Sequence, residues 1–176
     1  VEEEDEVRDR EPEALFVKLV MHNIEKHAEL LLPDELREYK ARLVAQGCNV
    51  TDVSGRRYSS KVMHDRPVAK NEARLIDYHG LNQERPSLLQ GDVHAAYVKA
   101  KLGGRPCYGR LSKKYWPKHW HARHRRPVVR IEQAMYGFER ADKDWSDHRH
   151  TVTTRVGFAP LNRRIYYKDY KVGSRT

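Results

Sequence analysis

The stretch YKARLVAQG, Tyr39 to Gly47, decides how the rest of the chain is read. Tyr39, Ala41 and Leu43 alternate with Lys40 and Arg42, the period-two pattern of a strand carrying two cations on one face. Gly47 closes it. Upstream, Glu11-Pro12 places a proline where a helix would begin. Phe16, Val20, Ile24 and Leu31, with Leu15 and Leu19 beside them, then recur at helical spacing until Pro33-Asp34 breaks the run. The spacing predicts an amphipathic helix to about Leu32, with His22 and His27 on its solvated side.

Downstream, the polar residues around Gly55 read as a loop, and Pro67 to Leu81 as a helix terminated near Gly80. Leu88 to Val93 reads as a strand, followed by a short helix or turn through Tyr97. Cys107 to Leu111 and the β-branched Pro127 to Ile131 are further strands. After Gly137 the pattern predicts a helix with Ala141, Trp145, His148 and Val152 on one side. Ile165 to Tyr170 is the last strand. Helices and strands without regular βαβ alternation predict an α+β fold. The organisation expected is an acidic N-terminal tail and amphipathic helix over 1–37, followed by a body over 38–176.

Of 176 residues, 39% are hydrophobic and 34% charged, which suits one ordinary domain with a modest core. Ten Tyr, three Trp and three Phe argue against disorder along the whole length. Cys48 and Cys107 form no CxxC pair, which suits a reducing, intracellular compartment. No apolar run approaches the roughly 18 residues of a membrane span, so a membrane is not an expected partner. Val1 is followed by no signal-peptide pattern, and the sequence reads as a processed chain or a fragment.

The net charge of +9 is unevenly spread. Residues 1–13 hold eight acids against Arg8 and Arg10, a net of −6, so the remainder carries +15. A body that basic fits a phosphate-rich partner. The head reads as a mobile solubilising tail, with an electrostatic cover over the basic body as the second reading.

The densest basic run is KKYWPKHWHARHRRPVVR, Lys113 to Arg130, with seven Lys/Arg, three His and the aromatics Tyr115, Trp116 and Trp120. Cations that track phosphates beside stacking surfaces predict contact with RNA or single-stranded DNA through Lys113, Lys114, Arg123, Arg125 and Arg126. Set against this is a solvated loop whose indoles anchor it to the core. Zinc at His119, His121 and His124 is less favoured, because no fourth ligand is evident. No GxSxG and no GxxxxGK[ST] is present.

Four segments in order, YKARLVAQG, GDVHAAYVKAKL, VVRIEQAMYGFERADKDW and VGFAPLNRRIYYKDYKVG, resemble the copia-type retrotransposon reverse transcriptase domain. The resemblance spans about Tyr39 to Gly173. It implies part of a right-hand polymerase, fingers and palm, with an antiparallel sheet and helices packed on one face. Residues 88–93, 128–131 and 165–170 would be strands of one sheet, covered by helices 68–79 and 139–154. Asp92 would be the first catalytic aspartate and a Mg²⁺ ligand, at a strand end. Tyr97 would lie beneath the incoming sugar, and Lys40 and Arg42 would face the triphosphate. Arg140 stands where the family has a glutamine on the template side.

The departures from the family pattern set the functional expectation. Two-metal phosphoryl transfer needs several carboxylates, and no adjacent Asp-Asp occurs in these residues. The family's YxDD hairpin would begin just past Thr176, Leu161-Asn162 shows no aspartate where one is common, and the hairpin that precedes YKARLV is replaced by the predicted helix. The expectation is therefore a fragment of an RNA-directed DNA polymerase that is inactive alone. Asp92 is a relic, and Mg²⁺ binds only if a missing half is supplied by another chain. The alternative is a domesticated basic structural or RNA-associated subunit with protein partners in a larger assembly. A translated pseudogene fragment is the third reading.

Overall fold

A five-stranded sheet, in the order β1 (Glu2–Glu3), β5 (Pro127–Ile131), β4 (Cys107–Leu111), β2 (Leu15–Lys26) and β3 (Glu38–Ala45), organises the chain. This is seen in a computed structural model that describes residues 1–30, 33–59, 68–82, 93–162 and 164–168. Four helices accompany the sheet among these residues: α1 (Glu4–Arg10), α2 (Lys70–Leu81), α3 (Lys118–Arg123) and α4 (Ala141–Arg155).

The predicted amphipathic helix is instead the strand β2. Phe16, Val20 and Ile24 are four apart, and residues four apart also share one face of a strand, so their spacing does not separate the two structures. Burial decides it. Leu15, Val17 and Leu19 enter one core cluster with Ala45, Val50 and Cys107. Phe16 enters another, on the opposite face, with Val7, Ala14, Tyr108 and Val128. A strand buried on both faces reads as a near-continuous apolar run, which blurs its alternation.

β2 pairs antiparallel with β3 from Leu19↔Ala45 to Lys26↔Glu38. YKARLV is therefore the second strand of a hairpin whose first strand is β2, and the expected helix in that place is corrected. β2 also pairs parallel with β4, from Leu15↔Cys107 to Leu19↔Leu111. The sheet is thus mixed and not antiparallel as expected, because the long excursion between β3 and β4 lets the chain re-enter in the same direction.

The acidic head is likewise not a free tail. Val7 of α1 is buried against the sheet, and the Glu4 carboxylate, 2% exposed, meets Arg8 at 2.7 Å, Arg110 at 2.8 Å and Arg126 at 2.8 Å. Burial pushes that carboxyl up, but hydrogen bonds from Arg110 and Arg8 outweigh it and hold it down at about 2. Residues 1–37 and 38–176 are therefore joined through one sheet, with β1 and β2 supplied by the first segment.

The expectation that 128–131 and 165–170 share a sheet also fails. β7 (Tyr166–Tyr167) pairs with β6 (Ala159–Pro160) in a separate two-stranded sheet. The cause is local. Asn162 Oδ1 accepts the N–H groups of Arg164 at 2.8 Å and Ile165 at 2.9 Å, turning the chain straight back on itself. Of the predicted strand 88–93, residues 88–92 lie outside the described residues, and Val93 is not in a strand.

α2 and α4 form where predicted, but neither covers the large sheet. α4 packs Ala141 against Ala100 and Ala134 and meets the turn Tyr97–Lys99 and β6. α2 is mostly exposed, and its Glu72 meets Arg164 at 3.3 Å. Among the described helices, none is long and apolar enough to cross a membrane.

Candidate nucleic-acid interface

Lys40 and Arg42 sit two apart on β3, both exposed and on one face of the strand. The Arg42 guanidinium lies 5.7 Å from the centre of the Tyr136 ring. Tyr136 in turn meets Tyr97 edge to face at 4.8 Å. The Tyr97 hydroxyl donates a close hydrogen bond to Asp142, in the first turn of α4. Residues from β3, from the turn Tyr97–Lys99, from the Met135–Phe138 loop and from α4 thus form a continuous row.

Backbone geometry fixes this row. Ala45 N–H donates to Tyr136 O at 2.8 Å, so the tyrosine loop docks on the end of β3. A Cβ on Gly47 would stand 1.9 Å from Gly137 O, and one on Gly137 would stand 1.8 Å from Ala45 O. Gly137 also has φ +93°, in the left-handed region that favours glycine. Tyr97 is placed by the packing of its ring with Phe138 and Trp145 around Ala100, Ala134 and Ala141. Burial first, then the hydrogen bond and charge of Asp142, push the Tyr97 phenol up to about 12. It stays a neutral donor across the physiological range.

Arg140, expected on the nucleic-acid side, is engaged internally. Its guanidinium contacts the Asp144 carboxylate at 2.8 to 3.1 Å and lies across Gly103 and Gly104. Asp144 also accepts the Gly103 N–H at 3.0 Å. Nearby, the Cys107 thiol is buried and pushed up to about 12, whereas Cys48, next to Gly47, is exposed.

The basic run forms a second surface, on the connection between β4 and β5. Trp116 Nε1 donates to Leu111 O at 2.9 Å, which anchors that indole. Lys113 stands 5.8 Å from the Trp116 ring centre and Lys114 stands 4.7 Å from that of Tyr115. Among the described residues, Lys113, Lys114, Lys118, Arg123 and the Arg125 side chain make no ion pair, and all are exposed. Arg126 differs from its neighbour, meeting Glu4 at 2.8 Å and Asp5 at 2.9 Å. Glu3 accepts the backbone N–H groups of Arg126 at 3.0 Å and Arg125 at 3.1 Å and faces His124 at 2.9 Å. Those contacts, the Arg126 N–H first, hold the Glu3 carboxyl low.

His121 packs on Trp116, while His119 and His124 both face Trp120. Among the described residues, no group of three or more His, Cys, Asp or Glu is placed to hold a metal ion. Asp92 lies outside the described residues. The docking of Glu3 and Glu4 matches the second reading of the acidic head, a cover over the basic body, and not the first, a mobile tail; the part played by Asp142 was missed. The opposed charges of head and body were the available signal for the docking.

No protein-family profile, no curated protein and no solved structure matches this chain.

Proposed function

We propose that this chain is a fingers-side fragment of a copia-type, RNA-directed DNA polymerase that holds nucleotide and single-stranded nucleic acid but extends no primer by itself. The observation that carries the reading is the meeting of Arg42, Tyr97 and Tyr136, which are far apart in sequence. In this reading Arg42 and Lys40 offer cationic donors to a triphosphate, and the Tyr97 ring forms a wall beneath the sugar. The strand β2 supports it, since the resemblance calls for strand structure before YKARLV. The described residues do not assemble a Mg²⁺ site, so no chemical step is assigned to them.

The test is equilibrium binding of dTTP, together with a primer-extension assay in Mg²⁺ or Mn²⁺. Arg42→Ala should weaken dTTP binding about tenfold through loss of a charge-assisted contact. Binding indifferent to that change would overturn the nucleotide site. Primer extension that disappears in Asp92→Asn would refute the inactive reading.

A second reading, a basic RNA-associated subunit of a larger assembly, is favoured by the unpaired cations Lys113, Lys114, Arg123 and Arg125. If these four contact phosphates of a single strand, counterion release gives a log–log salt slope of roughly −2.8. Binding to oligouridylate lost in Lys113→Glu/Lys114→Glu, with no dTTP binding by the wild type, would select this reading over the first.

A further inference from the structure

We propose that a cleft between residues 101–107 and 130–133 is a phosphate-binding site for the backbone of a single-stranded nucleic acid. The site deepens, and rests on, the nucleic-acid reading above. It arises from a break in strand pairing. Leu102 N–H donates to Glu132 O at 2.8 Å, and Cys107 is the register partner of Ile131. Between those two pairings the chain inserts Gly103 to Pro106, while its partner strand inserts nothing. The inserted residues loop outward, with Gly104 at φ +79°, and leave a cleft of about 320 Å³ that is open to solvent.

Lys101, Arg105 and Arg130 line this cleft, with Glu132 as the one acid among its lining residues. Lys101 and Arg130 are exposed and make no ion pair among the described residues. Arg105 meets Glu13 at 2.9 Å and lies over the Tyr58 ring. Glu11 is near Arg130, but it accepts from Tyr108 at 2.8 Å and Arg10 at 3.1 Å. Folding thus gathers three cations around one lining acid, with two of the three in no ion pair among the described residues, an arrangement that an oxyanion relieves. Two guanidiniums and an ammonium suit a phosphate, whose several oxygens accept from different directions.

Position argues for a nucleic-acid phosphate. Arg130 lies on β5, whose other end follows directly on Arg125 and Arg126. A strand lying along Lys113 to Arg125 reaches the cleft by running the length of β5, about 17 Å.

The test is the double variant Lys101→Ala/Arg130→Ala, assayed by titration of a fluorescent oligothymidylate at several salt concentrations. Removing two phosphate contacts should flatten the log–log salt slope by roughly 1.4 and weaken binding about tenfold at low salt. The melting temperature should not move, since both side chains are exposed and unpaired. A wild-type slope and affinity in the double variant would overturn the site. Pyrophosphate, titrated by thermal shift, reads the cleft independently. Protection of the wild type that is lost in the double variant supports the site, and equal protection of both, or of neither, overturns it. Pyrophosphate protection lost in the variant, together with no oligothymidylate binding by the wild type, would sink the nucleic-acid reading and leave a phosphate site standing.

Discussion

Arg110 grips Glu4 with two hydrogen bonds, Nε to Oε2 at 2.8 Å and Nη2 to Oε1 at 2.9 Å, across 106 residues of sequence. This fork joins the acidic head to the middle of the sheet. Arg8 and Arg126 complete the shell around a carboxylate that is 2% exposed. A buried charge of this kind is costly to orphan, so the contact ties the stability of the sheet to the first turn of the chain.

Glu4→Gln should destabilise the fold by about 3 kcal/mol at neutral pH, measured by urea unfolding, because it leaves Arg8 and Arg110 without their anion and Arg126 with Asp5 alone. The pH dependence has a definite sign. The folded carboxyl titrates at about 2, below its ordinary value of 4.5, so its stabilisation is complete above about 4.5 and is lost as pH falls toward 2. The gap between wild type and variant should therefore narrow through that window. A gap constant from pH 7 to pH 2.5 would show that the carboxylate charge is not what holds α1.

Arg125 and Arg126 should respond in opposite ways to reversal. Arg125→Glu alters an exposed, unpaired side chain and should change stability by no more than about 0.5 kcal/mol. Arg126→Glu sets a third carboxylate beside Glu4 and Asp5 and should cost about 1 to 3 kcal/mol. Thermal melts of the two single variants decide it, and equal melting temperatures would contradict the ion-pair geometry.

The β2–β3 hairpin, the α1 cover and the mixed sheet were poorly legible in sequence for a common reason. Each depends on partners far along the chain. The i, i+4 recurrence of Phe16, Val20 and Ile24 satisfies helix and strand alike, and Tyr108 and Val128 settle the choice. β3, β4, β5 and α4 were legible because alternation, β-branching or a long helical pattern marks each locally. Lys40 and Arg42 were correctly placed on one strand face. That Arg42 meets Tyr136 follows from a backbone contact between Gly47 and Gly137, for which single-sequence patterns give no signal.

Gly137→Ala should cost about 2 to 4 kcal/mol, from a left-handed φ and a methyl driven into the Ala45 carbonyl. The same change should release Tyr136 from Arg42. Urea unfolding measures the first effect, and weakened dTTP binding in the folded fraction measures the second. A variant as stable as the wild type would show that the loop does not dock on β3.

Ultraviolet titration should include a tyrosine near pH 12 whose contribution Tyr97→Phe removes. The phenol is raised above its ordinary value of 10.0, so the stabilisation tied to its neutral form is complete below about 10 and lost as pH rises toward 12. Asp142→Asn should lower that titration while leaving it above the ordinary value, since burial remains. An unchanged titration in Asp142→Asn would separate the two residues.

The contrast between Cys48 and Cys107 gives the chain a ready-made attachment point. A maleimide dye reacts with thiolate, which the sealed Cys107 side chain, near 12, does not supply at neutral pH. Cys48 lies open to solvent beside the glycine pressed on Gly137. The unmodified sequence should therefore take a single fluorophore, one residue from the β3 junction. Its emission would report in real time when the tyrosine loop lifts from the strand and when it settles back.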